Sequence, residues 1–262
     1  MKKIGALVYR ELLLAKRFYI TDILIVFGVS AFGYLILMSM EFGNIAKIFE
    51  EMGGEMADIT KNSVYYIFNY LTAALWCLLL NENGTSSADI KTKWRMYGFT
   101  MPVTDKENAL VKLIINVSGV ILCFSGAVAN GLIISAISGI DFDFVKSAKA
   151  YLLIIALSML FCFFGSAALS WARTEKEAGL SNVVQIFTII IMGNAGFFLF
   201  KGSEEFSPYI SALISEDSNI FALKNLAAKI LERFGAFALP CIILLTVVSY
   251  FVNLRLMKRR YK

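Results

Sequence analysis

The sequence predicts an all-α integral membrane protein with six transmembrane helices, and three observations predict it. Of the 262 residues, 58% are apolar and only 17% charged, and the mean hydropathy is +0.68. The apolar residues fall into six long runs, at about 20–40, 64–80, 113–140, 150–172, 178–200 and 234–254, of which only the first holds a charge, Asp22 at its start. Lys and Arg concentrate in alternate inter-run segments. A helix rises about 1.5 Å per residue, so roughly 20 residues cross a 30 Å hydrocarbon layer. Lipid satisfies no exposed backbone group, which selects helices over irregular chain. A soluble core does not need such long uncharged runs.

Residues 2–18 come first. At 100° per residue, Ile4, Leu7, Val8, Leu12, Leu14, Ala15 and Phe18 gather on one side. Lys2, Lys3, Arg10, Lys16 and Arg17 gather on the other, with Leu13 as the exception. The pattern predicts an N-terminal helix lying in the membrane interface, its cations toward water and lipid headgroups. Glu11 falls within the apolar side, where it needs either a cationic partner or a route to water. The basic start runs into a full-length span without a small-residue cleavage pattern, so it is expected to be retained.

Orientation follows from the cations. With both termini inside, the cytoplasmic segments hold 17 Lys and Arg and the outer ones 8. The positive-inside rule then predicts a plasma-membrane protein with N-in and C-in ends. The cations are spread over short flanking segments, which disfavours nucleic acid as a partner and favours membrane lipid.

Between the second and third runs, Asp89 is placed to cap a short helix ended by Gly98. That helix carries Lys91, Lys93, Trp94, Arg95 and Tyr97. An ordinary surface loop does not need the two aromatics, so a docking surface is the favoured reading. Pro102 then breaks the chain, and Thr104 followed by Glu107 has the spacing of a capping box that opens the third span. In the third run Ala127, Gly131, Ser135 and Gly139 recur every four residues; in the fourth, Cys162, Ser166 and Ser170 do so. Both stripes predict close helix approach. Before the last run, Pro208–Ser215 is apolar but too short to span. Ser218 is placed to cap a second piece in which Ile220, Phe221, Leu223, Leu226, Ala227, Ile230, Leu231 and Phe234 share a face. Two short re-entrant helices on the outer side are expected. Nothing divides the chain, so residues 1–262 form a single transmembrane domain.

The chemistry is sparse. The chain has no histidine, which excludes Ser-His and zinc-His catalysis in this chain. It has no GxxxxGK[ST] stretch to cradle a nucleotide phosphate. The four cysteines all lie inside apolar runs and read as packing residues. Asp141 and Asp143 read as a solvated turn, and no metal site is expected. Neutral spans disfavour ion or proton coupling. The mid-span polar residues Asn69, Asn116, Asn130, Gln185 and Asn194 either line a substrate path or hydrogen-bond between helices.

The order of these parts resembles the permease subunits of the ABC-2 class of ABC transporters. The shared features are a basic interfacial helix, six spans, a lateral cytoplasmic helix, a two-helix outer segment and a basic tail. That family often carries a Leu-Pro-Val-Ser-Arg-like stretch where this chain has Met101-Pro102-Val103-Thr104-Asp105, with Asp105 replacing the usual cation. The resemblance covers the whole chain in architecture and implies a type-2 ABC exporter fold. It implies a homodimer or a pair with a sibling permease, each bound to a separate cytoplasmic ATPase that holds the ATP and Mg. This chain would carry no cofactor and would not itself be an enzyme. Residues 89–98 would be the coupling helix, with Trp94, Arg95 and Tyr97 as contacts beside Lys91 and Lys93. Residues 4–18 would be the connecting helix, with Arg10, Lys16 and Arg17 presented to the ATPase. Neutral, aromatic-rich spans suit an amphipathic substrate. Small outer loops resemble exporters of antimicrobial or toxin peptides, including lantibiotic-immunity and phenol-soluble-modulin systems. Drug, lipid or lipid-linked polysaccharide export is the alternative. A non-transporting immunity or sensor protein is the alternative class, and a membrane-embedded enzyme is disfavoured, since the chain has no His and its runs no Asp or Glu beyond Asp22 at the start of the first.

Overall fold

The computed structural model describes residues 2–43, 45–47, 54–80, 103–171, 175–214 and 220–259. Among them there is no strand. The helices described in full are, in order, α1 Lys2–Phe42, α2 Gly54–Trp76, α3 Asp105–Ser138, α4 Phe144–Trp171, α5 Glu175–Lys201, α6 Ser207–Ile214, α7 Ile220–Phe234 and α8 Ala238–Arg259. A 3₁₀ turn, Cys77–Leu80, prolongs α2, and another, Gly235–Phe237, leads into α8.

Among the described residues, five stretches are long and apolar enough to cross a membrane: Tyr19–Phe42, Lys61–Leu80, Asp105–Ser138, Phe144–Phe164 and Asn225–Arg255. The sixth apolar run lies in α5, where the stretch Ile186–Phe198 is apolar but shorter. The chain is therefore an all-helical, multi-pass membrane protein. The two short pieces expected before the last span are present as α6 and α7. The expected cap at Ser218 and the lateral helix at 89–98 lie outside the described residues.

One expectation is corrected. Residues 2–18 are not a separate helix; α1 runs unbroken for 41 residues. Nothing from Ala15 to Asp22 is a Gly or Pro, so no residue stops propagation into the span. The Thr21 hydroxyl donates to the Arg17 carbonyl at 2.8 Å, satisfying itself on its own helix.

The capping box forms as the sequence predicts. The Glu107 N–H donates to Thr104 Oγ1 at 3.3 Å, and the Thr104 N–H donates to Glu107 Oε2 at 2.8 Å. Two of the four free N–H groups at the start of α3 are thereby satisfied. At the other end Gly139 adopts φ 68°, and its N–H donates to the Ser135 carbonyl at 2.9 Å. A left-handed cap is cheap only for a residue without Cβ. A Cβ on Gly139 would meet nothing within 4 Å, so this glycine is a cap and not part of the small-residue packing stripe.

Helix α3 is the centre of the bundle and packs against α1, α2, α4 and α8; α5 packs along α4 and also touches α6. Charges mark the two ends. At one, Lys3 Nζ lies 3.2 Å from Glu107 Oε2, joining the starts of α1 and α3. At the other, Glu41 accepts from the Tyr65 hydroxyl at 2.5 Å and pairs with Lys61 at 3.5 Å, joining the end of α1 to α2. Between them lie three apolar clusters, one centred on Cys77, Cys123, Ile155 and Met159, one on Leu37, Met40, Tyr65 and Ile134, and one on Ala73, Ala127 and Tyr151. All four cysteines are free thiols.

Candidate functional site

The bundle interior holds a neutral polar layer built by α1, α2, α3 and α4. Asn69 on α2 is 8% exposed, and its Oδ1 accepts from the Tyr151 hydroxyl on α4 at 2.8 Å. Asn130 on α3 is 5% exposed, and its Oδ1 accepts from the Tyr34 hydroxyl on α1. Thr72 is fully buried one turn from Asn69 and donates to the Phe68 and Asn69 carbonyls at 3.0 and 2.9 Å. Among the described residues, Trp76 Nε1 and Asn130 Nδ2 are buried without a partner. Each such group costs about 1–3 kcal/mol unless something meets it.

Small residues let the layer close. A Cβ at Gly131 would lie 2.4 Å from Tyr151 Oη and 2.5 Å from the Phe142 ring. One at Gly126 would lie 2.3 Å from the Trp76 ring. The four-residue stripe on α3 is thus divided: Ala127 and Gly131 admit neighbouring helices, whereas Gly139 ends the helix.

The other candidate residues go elsewhere. Asn116 on α3 lines a small cavity against α4 and α8. Asn194 on α5 is exposed and spends its amide N–H on the Ile190 carbonyl of its own helix at 2.7 Å. Gln185 also lies on α5, but its side chain is not among those described. The five mid-span residues therefore do not form one path: Asn69 and Asn130 join the layer, Asn116 faces the cavity and Asn194 faces outward.

On α1, Glu11 is 6% exposed, on the same buried side as Leu7, and is ion-paired with Arg10 beside it. Of the two readings of Glu11, the buried contact with a cation describes the structure. Lys16 and Arg17 are exposed. Lys91, Lys93, Trp94, Arg95 and Tyr97 lie outside the described residues. Asp143 does what a solvated turn residue does: its Oδ1 accepts from the Lys146 N–H at 3.1 Å and caps α4. That backbone N–H, with the Lys146 ammonium 3.5 Å away, holds its carboxyl below the usual carboxylate range. Among the described residues no group of three His, Cys, Asp or Glu side chains is placed to hold a metal.

Sequence reading missed Tyr34, Tyr151, Ser249 and Asn253. A usable signal existed for the tyrosines. A phenol inside an apolar run must find an acceptor when buried, and Asn69 and Asn130 were the neutral acceptors on offer. The layer consists of amides, hydroxyls and the Trp76 indole N–H, and the chemistry it shows is hydrogen bonding between helices.

No family profile matches the chain, and neither a curated protein nor a solved structure does.

Proposed function

We propose that this chain is the permease subunit of an ATP-driven exporter of the ABC-2 class, moving an amphipathic substrate, in first place a peptide, out of a bacterial cytoplasm or inner leaflet. The observation that carries the reading is the order of parts. A long basic-started helix is followed by a span, then by Met101-Pro102-Val103-Thr104-Asp105 and a capping box opening the central helix. In this reading α5, whose apolar stretch Ile186–Phe198 is shorter, is the sixth span beside the five long apolar stretches, and the short pair α6 and α7 precedes α8. In this reading the fold is the six-helix type-2 exporter fold, with N-in and C-in ends and α6 and α7 on the outer side.

The partner is a cytoplasmic ATPase that binds ATP and Mg, and the second permease is an identical or sibling chain. Residues 89–98 dock into the ATPase, with Trp94, Arg95 and Tyr97 as contacts flanked by Lys91 and Lys93. The exposed Lys16 and Arg17 on α1 are available to the same partner. ATP binding moves these levers, and the bundle passes between two packings. The neutral polar layer suits a cargo that presents uncharged polar groups to it.

The test is co-purification of a phosphate-loop ATPase with this chain from its native membrane, followed by Trp94→Ala and Arg95→Ala. Both variants are expected to insert normally and to lose at least tenfold of peptide-stimulated ATP hydrolysis. Undiminished coupling removes the docking assignment. Peptide binding with no associated ATPase would instead mark a non-transporting immunity or sensor protein.

A further inference from the structure

The cavity beside Asn116 lies apart from the polar layer. It sits where α3, α4, α8 and the end of α2 meet, and encloses about 20 Å³ among Asn116, Ser249, Cys162 and the apolar Leu80, Met159 and Leu245. We infer that this cavity is a binding site for one water molecule, which bridges the Asn116 amide on α3 to the Ser249 hydroxyl on α8.

The first argument is room. About 10–15 Å³ of this kind of volume admits one water, so the space suffices for one. The second is chemistry. A cavity lined only by Leu and Met stays dry, whereas a water needs two to four polar partners. Asn116 supplies an acceptor and two donors, and its side chain has no protein partner among the described residues. Ser249 Oγ accepts from Asn253 Nδ2 at 3.4 Å, which occupies a lone pair and leaves the hydroxyl proton for another acceptor. That proton finds no acceptor on the protein among the described residues. The third is charge. No carboxylate or cation lines the space, so it offers a metal ion no hard ligand and an anion no counter-charge. A neutral molecule that both donates and accepts fits both walls.

The consequence is structural. Ser249 and Asn253 are 9% and 7% exposed within a largely apolar stretch of α8, and a bridging water gives Ser249 a partner on α3. The water joins α8 to α3 by hydrogen bonds, where side chains supply only apolar contact. The inference does not depend on the proposed export function.

A double-mutant cycle tests it: Asn116→Ala, Ser249→Ala and the pair, with unfolding equilibria measured in detergent. The two side chains share no direct hydrogen bond but line one cavity, and a shared cavity couples its walls even when dry. The cycle is therefore read against a control cycle, Asn116→Ala with Leu245→Ala, which shares the cavity and not the bridge. A bridging water gives a coupling about threefold or more above that control in the unfolding equilibrium constant. Loss of the Asn253 contact cancels, because Ser249→Ala removes it in both backgrounds. A second measurement stands even where a variant fails to fold. A structure of the wild-type protein at water-resolving quality is expected to show one ordered density between Asn116 and Ser249. A cycle coupled no more strongly than its control, or a cavity without density, overturns the assignment.

Discussion

Replacing Gly126 by Ala puts the packing of α3 against α2 to a direct test. The new Cβ would sit 2.3 Å from Trp76 Cδ2 and 2.5 Å from Cε2 and Cε3. Carbon atoms rest at about 3.5–4.0 Å, so the overlap exceeds 1 Å and meets a rigid ring. Trp76 has little freedom to retreat. Its ring packs edge-on against Phe27 of α1 at 5.9 Å. Its carbonyl accepts from the Cys123 thiol at 3.0 Å, on the same helix as Gly126. Overpacking of this kind costs about 1–3 kcal/mol, and the helix preference of Ala over Gly returns about 1 kcal/mol. The control is Gly193→Ala on α5, where a Cβ meets nothing within 4 Å. There only the preference remains, so that variant is expected to be as stable as wild type or up to about 1 kcal/mol more stable. The two single-methyl changes should therefore differ by about 2 kcal/mol, a roughly thirtyfold difference in the unfolding equilibrium. Titration of purified protein with denaturing detergent, followed by helical circular dichroism, measures it. A Gly126→Ala protein as stable as Gly193→Ala would refute the placement of Trp76 against α3.

Two further outcomes follow from the polar groups. Tyr151→Phe removes the 2.8 Å hydrogen bond to Asn69 and leaves a buried carbonyl oxygen unpaired; a loss of about 0.5–1.5 kcal/mol is expected in the same titration, partly recovered in Asn69→Leu/Tyr151→Phe. The depressed Asp143 carboxyl stabilises the start of α4 fully above its unfolded pKa, about 3.9, and this is lost as pH falls through the lower folded value; hydrogen exchange at the Lys146 amide should rise relative to its neighbours on acidification, and Asp143→Asn should abolish that extra pH dependence.

Much of the bundle was legible because lipid imposes one strict rule on sequence: a spanning segment must be long, apolar and helical. The predicted runs at 113–140 and 150–172 lie largely within α3 and α4, and the Thr104 and Glu107 spacing marked the start of α3 to the residue. What was not legible is which side chains meet. Asn69, Asn116, Asn130 and Asn194 look alike as amides in apolar runs, yet two bridge helices, one faces a cavity and one serves its own backbone. A helical period assigns a face but not the neighbour on that face, and the neighbour decides the role. Gly131 and Gly139 show the same limit. They fall in one four-residue stripe, but the end of α3 turns the second into a cap. The break expected near residue 18 failed for a different reason, since a change in amphipathic pattern alters what surrounds a helix without interrupting its hydrogen bonds.

The way the bundle is held bears on how it would work. In lipid an apolar side chain gains little by leaving a hydrocarbon tail for another helix, so apolar surface drives insertion but hardly selects partners. Selection falls to close approach at Gly126 and Gly131 and to the neutral pairs Tyr34–Asn130 and Tyr151–Asn69. Charged pairs are kept to the ends, where Lys3–Glu107 and Glu41–Lys61 remain partly exposed. Neutral hydrogen bonds in such interiors average well under the strength of a buried ion pair broken on one side, about 0.6 against 3–5 kcal/mol. A bundle specified this way has a definite packing held by weak neutral bonds. Buried charge pairs in the layer would lock it. Among the described residues the ion pairs that join the bundle helices lie at the rims, so under the proposed function the helices would exchange partners without breaking a charge pair in the middle.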